Sequence, residues 1–198
     1  MNHEHRNRQG GPLAEAGRKH RAQQGFSLIE VSIVTAIVLL IAVIGIPAIG
    51  GYVMENKVPK VGEELARFIM QTRVNAGASG DAPYADIGTE NLASMVADST
   101  VLTLGGDGAV RHGLGQGGRI EVEASDAGAG FIVRLLQVNH VACPSIASVL
   151  QRLADQIVVT GDGGAGKTVK DSATPYSALT TESACGRGDV NQFAFHVR

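Results

Sequence analysis

An uncharged, strongly apolar run near the N-terminus constrains this chain more than any other feature. Residues 31–54 are 24 consecutive residues without a charged side chain, and most of them are Ile, Val, Leu or Ala. As an α-helix, at about 1.5 Å per residue, the run extends roughly 36 Å, which is enough to cross a hydrocarbon core of about 30 Å. It is apolar on every face, unlike the amphipathic helix of a soluble domain. The run predicts a helix that enters a membrane.

The first 25 residues form a basic arm. Its charged residues are Arg6, Arg8, Arg18, Lys19, Arg21, Glu4 and Glu15. Because basic flanking segments stay in the cytoplasm, the part of the chain after the apolar run is expected to cross the membrane. The remaining 173 residues hold 12 basic and 17 acidic side chains, hence a net charge of −5. Nucleic-acid binding is not expected, because this balance offers no broad cationic surface.

An ordinary secretory signal is one alternative for the apolar run. Cleavage would then follow the run, where Ala48 and Gly50 supply small residues. Two features argue against it. The run exceeds the roughly 7–15 residues usual for a signal core. Glu30 also lies at its start, where burial of a carboxylate in hydrocarbon costs about 3 kcal/mol, so a charge at this place indicates a role.

The junction between arm and run reads Gln24-Gly25-Phe26-Ser27-Leu28-Ile29-Glu30-Val31. It resembles the class III signal of type IV pilins and pseudopilins, and the resemblance continues through about residue 52. The resemblance implies cleavage by prepilin peptidase between Gly25 and Phe26, followed by N-methylation of Phe26. Glycine suits such a junction because it has no side chain and a free backbone. The apolar helix would stay attached to the mature protein.

Glu30 has two interpretations. In the pilin interpretation its carboxylate pairs with the new Phe26 amine, between subunits, and sets their axial register during assembly. Such a buried pair is a registry device rather than a source of stability. Alternatively, Ser27-x-x-Glu30 is a capping box, in which Glu30 only satisfies backbone donors at the start of the helix. Both interpretations stand on the sequence alone.

Pro47 lies inside the apolar helix, among Gly45, Gly50 and Gly51. Proline removes one backbone hydrogen bond and is expected to kink the helix. One interpretation is a packing kink. The resemblance to pilins implies the other, a segment that stretches or melts during assembly.

The apolar pattern predicts that the same helix continues to about residue 75. Val58, Val61, Leu65, Phe68 and Thr72 recur at helical spacing and would form the stripe on which a head packs. Residues 77–88 are predicted as a loop, and a short helix follows Thr89. Residues 105–118 are predicted as a glycine-rich loop.

Two alternating segments, residues 119–123 and 131–138, predict a β-hairpin joined through residues 126–130. Pro144 begins an amphipathic helix. Its inward residues are predicted to be Ile146, Val149, Leu150, Leu153 and Ile157. Residues 157–160 and 191–197 are predicted as further strands.

Together these elements predict an α+β protein with the type IV pilin fold: a long N-terminal membrane-spanning helix packed on a small, mainly antiparallel β-sheet head. The expected organisation is a cleaved basic leader (1–25), a transmembrane and filament-core helix (26–54) and its continuation against the head (55–76). A periplasmic, later extracellular, globular head follows (77–198).

The chain has two cysteines, Cys143 and Cys185. They cannot build a zinc site alone. With the head in an oxidising compartment, a disulfide is expected, and two unpaired thiols are the alternative. Many pilins carry one disulfide in this region. The long leader and wide cysteine loop resemble the type IVb branch, including pilins of conjugative thin pili, whereas a mature Phe is more typical of type IVa.

Gly161, Gly166, Lys167 and Thr168 match the phosphate-binding pattern G-x-x-x-x-G-K-[ST]. A phosphate loop needs a helix that starts at the lysine. No helical stripe follows Thr168, and the 30 residues after it are too few for a nucleotide-binding sheet. Nucleotide binding is therefore not expected. The tripeptide Arg187-Gly188-Asp189 is interpreted as turn chemistry rather than a ligand for integrins.

The histidines are dispersed, so no metal site, catalytic triad or cofactor is expected and the chain is not predicted to be an enzyme. The resemblance implies a structural subunit of a type IV pilus. Its partners would be other copies of itself, prepilin peptidase, the inner-membrane assembly machinery and, before assembly, membrane lipid. Its location would be the inner membrane and then the extracellular pilus. The alternatives are a type II secretion pseudopilin and a bitopic membrane protein with a ligand-binding head.

Overall fold

The structure is a computed structural model that describes residues 26–76 and 80–198, with the backbone alone at residues 46–51. The described residues divide into two units at residues 43 and 44, and each is described by itself. A 49-residue helix, α1 (Leu28–Ala76), contributes to both. The predicted continuation of the apolar helix into a helix of the head is therefore confirmed.

In the second unit, α1 supplies an apolar stripe to the core. This stripe consists of the buried residues Val58, Val61, Leu65, Phe68 and Ile69. Thr72, at the end of the predicted stripe, is half-buried. Phe68 meets Phe131 edge-on, with ring centroids 6.4 Å apart and ring planes at 84°. Each such fully buried side chain contributes about 1.5–3 kcal/mol by leaving water, so this stripe attaches α1 firmly to the sheet.

The head contains one seven-stranded sheet. Its strands are β1 (Thr103–Leu104), β2 (Val110–Arg111), β3 (Arg119–Ser125), β4 (Gly130–Val138), β5 (Gln156–Thr160), β6 (Lys167–Lys170) and β7 (Asn191–Val197). Their order is β1-β2-β3-β4-β7-β5-β6, and every pair is antiparallel. The last strand lies between β4 and β5, so the sheet is complete only when the C-terminal segment is in place.

The pairing register places apolar side chains in rows across the sheet. Val122 pairs with Val133, Val133 with Phe195, and Phe195 with Ile157. All four side chains are buried. Because side chains alternate along a strand, a one-residue slip would turn the whole row out of the core. The row thus fixes the register of β3, β4, β7 and β5 together.

Three short helices complete the head: α2 (Thr89–Met95), α3 (Cys143–Leu150) and α4 (Ala178–Ala184). The helix after Thr89, the hairpin of β3 and β4 with its link at Asp126–Gly128, and the strands β5 and β7 are where the sequence predicts them. Strands β1 and β6 and helix α4 were not predicted.

The tract 105–118, predicted as a loop, also contains strand β2. Val110, His112 and Leu114 in this tract are buried. A two-residue strand is too short to produce an alternating pattern, so only its pairing with β3 reveals it.

Helix α3 is shorter than predicted. It ends at Leu150, and Ile157 owes its inward position to strand β5. The Lys170 ammonium donates to the carbonyl oxygen of Gln151, the C-cap residue of the helix, and to that of Ala154 in the following turn. Val149, predicted to face inward, is 42% exposed and lies over Gly62 of α1.

Gly62 allows α3 to pack closely against α1, because it has no side chain. A Cβ atom at position 62 would lie 2.4 Å from Val149 Cγ1 and 3.2 Å from Val149 Cβ. Valine is stiff at χ1, so a rotamer change does not relieve both contacts. We expect Gly62→Ala to lower the free energy of unfolding by about 1 kcal/mol, since overpacking of about 2 kcal/mol outweighs a gain in helix propensity of about 1 kcal/mol.

The measurement is thermal or urea unfolding of the full chain in detergent. The double variant Gly62→Ala/Val149→Ala relieves the clash. Its loss of unfolding free energy should be smaller than the sum of the losses in the two single variants. A Gly62→Ala protein as stable as the parent would show that α3 does not pack closely here.

Candidate assembly segment and disulfide-closed loop

The N-terminal part of α1 is an exposed apolar surface. Its residues 28–45 have a mean hydropathy of 2.7 and are 0% buried within the chain. Phe26 is 82% exposed and Leu28 88% exposed. Soluble monomers do not present apolar surfaces of this extent, so lipid or another protein must cover it.

The two hydroxyl side chains in this segment are satisfied within the helix. Ser32 Oγ donates to the Leu28 carbonyl oxygen at 2.8 Å, and Thr35 Oγ1 donates to the Val31 carbonyl oxygen at 2.7 Å. Backbone and hydroxyl donors of an α-helix paired in this way can enter hydrocarbon without loss of hydrogen bonds. The segment is therefore compatible with a bilayer despite its polar residues.

Glu30 lies in the first turn of α1 and is exposed. A carboxylate there is favoured by the partial positive charge of the helix N-terminus. The first backbone bond of the helix, from Val31 N to the Ser27 carbonyl oxygen, is formed at 3.1 Å. Within residues 26–76 and 80–198, neither the Ser27 hydroxyl nor the Glu30 carboxylate makes the side-chain bonds of a capping box. The carboxylate is available for a partner outside these residues.

The structure does not describe two of the predicted processing and assembly residues in full. Gly25 lies outside the described residues. At Pro47 the backbone is helical within α1, and the proline side chain lies outside the described part. The kink predicted at Pro47 is thus not tested, whereas the predicted helix around it is present.

Cys143 and Cys185 form a disulfide, with Cα atoms 6.2 Å apart and a sequence separation of 42 residues. Cys143 begins α3, and Cys185 directly follows α4. The predicted bond is confirmed, and the alternative of two free thiols is wrong. The closed loop contains strands β5 and β6, so the bond constrains one side of the sheet.

A buried amide fixes the end of this loop. Asn191 Oδ1 accepts from the Gly186 N–H at 2.7 Å, and Asn191 Nδ2 donates to the carbonyl oxygens of Val138 and Gly186, each at 3.0 Å. Asn191 is fully buried. Leaving such groups unpaired costs about 1–3 kcal/mol each, so this amide holds the residue after Cys185 against β4. Sequence reasoning missed Asn191, because an amide at the start of a strand has no distinctive spacing.

The Arg187-Gly188-Asp189 tripeptide attaches the segment after Cys185 to the rest of the head. Asp189 accepts from the Gln116 N–H at 3.0 Å and from Asn139 Nδ2 at 2.5 Å. Gly188 has a φ of +87°, which favours glycine. The carboxylate is thus engaged within the head, as expected of turn chemistry.

The phosphate-loop pattern folds as a hairpin turn. Lys167 begins strand β6 rather than a helix, and its Nζ donates to Ser183 Oγ at 3.3 Å. Residues 161–166 connect two antiparallel strands. Because no helix begins at Lys167, the turn lacks the anion-binding geometry of a phosphate loop.

Perturbed pKa values in the head have local structural causes. Burial lowers the pKa of His112, and burial together with the nearby Arg134 lowers the pKa of His196. The backbone N–H of Ala109 lowers the pKa of Asp107, and that of Thr174 lowers the pKa of Asp171. No group of three His, Cys, Asp or Glu side chains suited to a metal ion occurs in the described ranges.

Comparison with protein families accounts for both parts of the chain. Residues 20–46 match a model described as the prokaryotic N-terminal methylation motif. Residues 63–197 match a model described as PilS N terminal, which covers more than half of the chain. The chain belongs to the PilS N-terminal family. No curated protein matches it.

The two matches identify a type IV pilin precursor, as the resemblance at residues 24–31 indicates. A pilin is a structural subunit that inserts into the inner membrane through its apolar helix and is then assembled into an extracellular pilus. Self-polymerisation and processing by a prepilin peptidase follow from the family. The pseudopilin and the bitopic ligand-binding protein are not favoured, because the second match covers the head.

The disulfide of this pilin offers a direct test of the head. Replacing both cysteines, as Cys143→Ala/Cys185→Ala, should lower the free energy of unfolding by about 4 kcal/mol, the loop-closure contribution for a loop of this length. Alanine avoids a polar group at position 143, which is buried.

The measurement is urea unfolding of the full chain in detergent. Reduction of the parent protein serves as the control and should give a similar loss. Equal midpoints for oxidised parent and double variant would show that the bond does not stabilise the head.

Proposed function

We propose that this pilin is cleaved between Gly25 and Phe26, methylated on the Phe26 amine and polymerised through α1 as the repeating subunit of a type IVb pilus. The observation that supports this most is the exposed apolar helix of residues 28–45 joined to a folded, disulfide-bonded head. The PilS match, the long leader and the wide cysteine loop favour the type IVb branch. In this proposal residues 1–25 are the leader, 26–54 the filament-core helix, 55–76 its continuation and 77–198 the head.

Cleavage changes the charge at the start of the helix. It removes the basic arm and leaves an amine on Phe26, four residues before Glu30 in the sequence. Both groups are carried into an apolar bundle when the helices assemble. A single buried charge there is strongly unfavourable, whereas an amine and a carboxylate together can be accommodated.

We assign this pairing to neighbouring subunits. Each Glu30 would receive the Phe26 amine of a neighbour, so an incoming subunit is correctly placed only when its end is level with an existing carboxylate. A uniformly apolar helix such as residues 31–45 has no other charged group to set its axial position. The ion pair therefore supplies register, and the apolar surface supplies affinity.

Pro47 has a supporting role in the proposal. Proline lacks the N–H that would bond to the preceding turn, so the helix is weakest there. A subunit that moves from bilayer to filament can lengthen at that point without breaking its remaining helical bonds. The partners in this step are the inner-membrane assembly machinery, the lipid that the helix leaves and the neighbouring copies that it joins.

Glu30→Gln tests the pairing. Glutamine fits a capping box, but it carries no charge. We expect the variant to insert into the membrane and to be cleaved, while the yield of sheared filaments falls at least about tenfold, the effect of roughly 1.4 kcal/mol per joining step.

The matched control is Glu55→Gln, which removes an exposed carboxylate of α1 beyond the uncharged run. It should leave the filament yield unchanged. Normal filaments from Glu30→Gln would support the capping role and contradict the register proposal.

A further inference from the structure

His112 is a buried titratable side chain that assembly does not use. It is 1% exposed and follows strand β2. Its Nδ1 accepts from the Leu114 N–H at 2.9 Å, and its Nε2 lies 2.9 Å from the Leu136 carbonyl oxygen on β4. Since a carbonyl accepts and an amide donates, the ring carries its single proton on Nε2. The contact at Nδ1 requires the neutral ring, whereas an N–H on Nε2 is present in both protonation states of the ring.

The ring is enclosed as well as bonded. A Cβ atom at Gly118 would lie 2.2 Å from His112 Cε1, so only glycine permits this packing. A doubly protonated ring would place an N–H on Nδ1 against the N–H of Leu114. Two donors cannot share a hydrogen bond, so the second proton expels either the ring or the Leu114 backbone.

The charged residues that line the groove beside His112 carry no net charge, so the groove offers no net negative charge to a second proton. His112 borders a groove of about 500 Å³ whose charged residues, Lys57, Lys60, Glu63 and Glu64, all lie on α1. Two cations oppose two carboxylates, and Glu64 is paired with Arg67. The other side of the groove is formed by Thr100, Val101 and Gly113, which carry no charge.

The segment held by His112 connects three parts of the head. Lys57 Nζ of α1 donates to the Gly113 carbonyl oxygen at 3.5 Å. The Leu114 carbonyl oxygen accepts from Asn139 N at 2.7 Å, directly after β4. The Gln116 N–H donates to Asp189 in the segment that follows Cys185. Residues 112–118 therefore join α1, the sheet and the disulfide-closed side.

We propose that His112 is an acid-sensitive latch: its neutral ring holds residues 112–118 on β4, and uptake of a second proton releases this segment and loosens its contact with Asp189. Burial lowers the pKa of His112 below its ordinary value of 6.5. The released segment binds the proton more readily than the latched one, so the latch is strongest above about pH 6.5 and weakens as the pH falls below it. The latch belongs to the head and is independent of the pairing at Glu30.

The test is hydrogen exchange with mass spectrometry on the full chain in detergent, at about pH 7.5 and about pH 5, with rates corrected for intrinsic exchange. We expect amides 113–118 to lose protection at the lower pH while β3 and β4 keep theirs. The loss should be absent in His112→Gln, which cannot titrate, and present in His140→Gln, whose histidine is exposed. Equal protection at both pH values, or an acid-induced loss that persists in His112→Gln, would overturn the proposal.

A second measurement uses the parent protein, in case His112→Gln does not fold. Nitrogen NMR of the ring should show Nδ1 unprotonated near neutral pH and a titration midpoint for His112 below 6.5, the ordinary value for histidine. A midpoint at or above that value would overturn the proposal as well.

Discussion

An apolar helix that is unstable in water is covalently joined to a head whose polar surface is stable in water. The rest of the molecule depends on this constraint. Residues 28–45 are apolar and exposed within the chain, whereas the head has its own buried core. At about 25 cal/mol per Å² of apolar area, the exposed helix cannot remain in water, and only a bilayer or other such helices can cover it. Insertion and polymerisation are two ways of meeting the same requirement.

The head is built so that the helix can change its surroundings without unfolding the sheet. The stripe from Val58 to Ile69 holds α1 on the strands independently of residues 28–45. At the C-terminal end of the chain, β7 lies between β4 and β5. The disulfide closes the segment that contains β5 and β6. Asn191 and Asp189 then tie the end of this segment to its neighbours. These contacts attach the C-terminal segment to the remainder of the sheet.

The parts predicted well from sequence are those with long, uniform signals. The apolar run, the helical stripe after it and the alternation in β3, β4 and β7 each repeat over several residues, so local chemistry decides their structure. The N-terminal methylation motif can be recognised from sequence because its residue types occur together at fixed spacing, whereas the cleavage site itself stays a prediction. Phe26 and Glu30 were named on that basis, and the structure describes both as exposed. The disulfide followed from the compartment that the helix implies.

What escaped prediction depends on partners distant in sequence. Strand β2 exists because β1 and β3 flank it, and α3 stops where Lys170 of a later strand caps it. Val149 faces α1 because Gly62 leaves room, which no pattern around Val149 encodes. His112 and Asn191 are buried polar groups whose partners are backbone atoms. Such partners become known only when the strands are placed together.

In the proposed assembly the apolar helix stays attached to the head after the basic arm is removed. The intact mass of the subunit from sheared surface filaments tests this attachment. We expect a single chain that begins at N-methylated Phe26, ends with the head and has both sulfurs oxidised. A soluble mature product that begins after residue 48 would contradict it, because cleavage would then have separated the head from its helix.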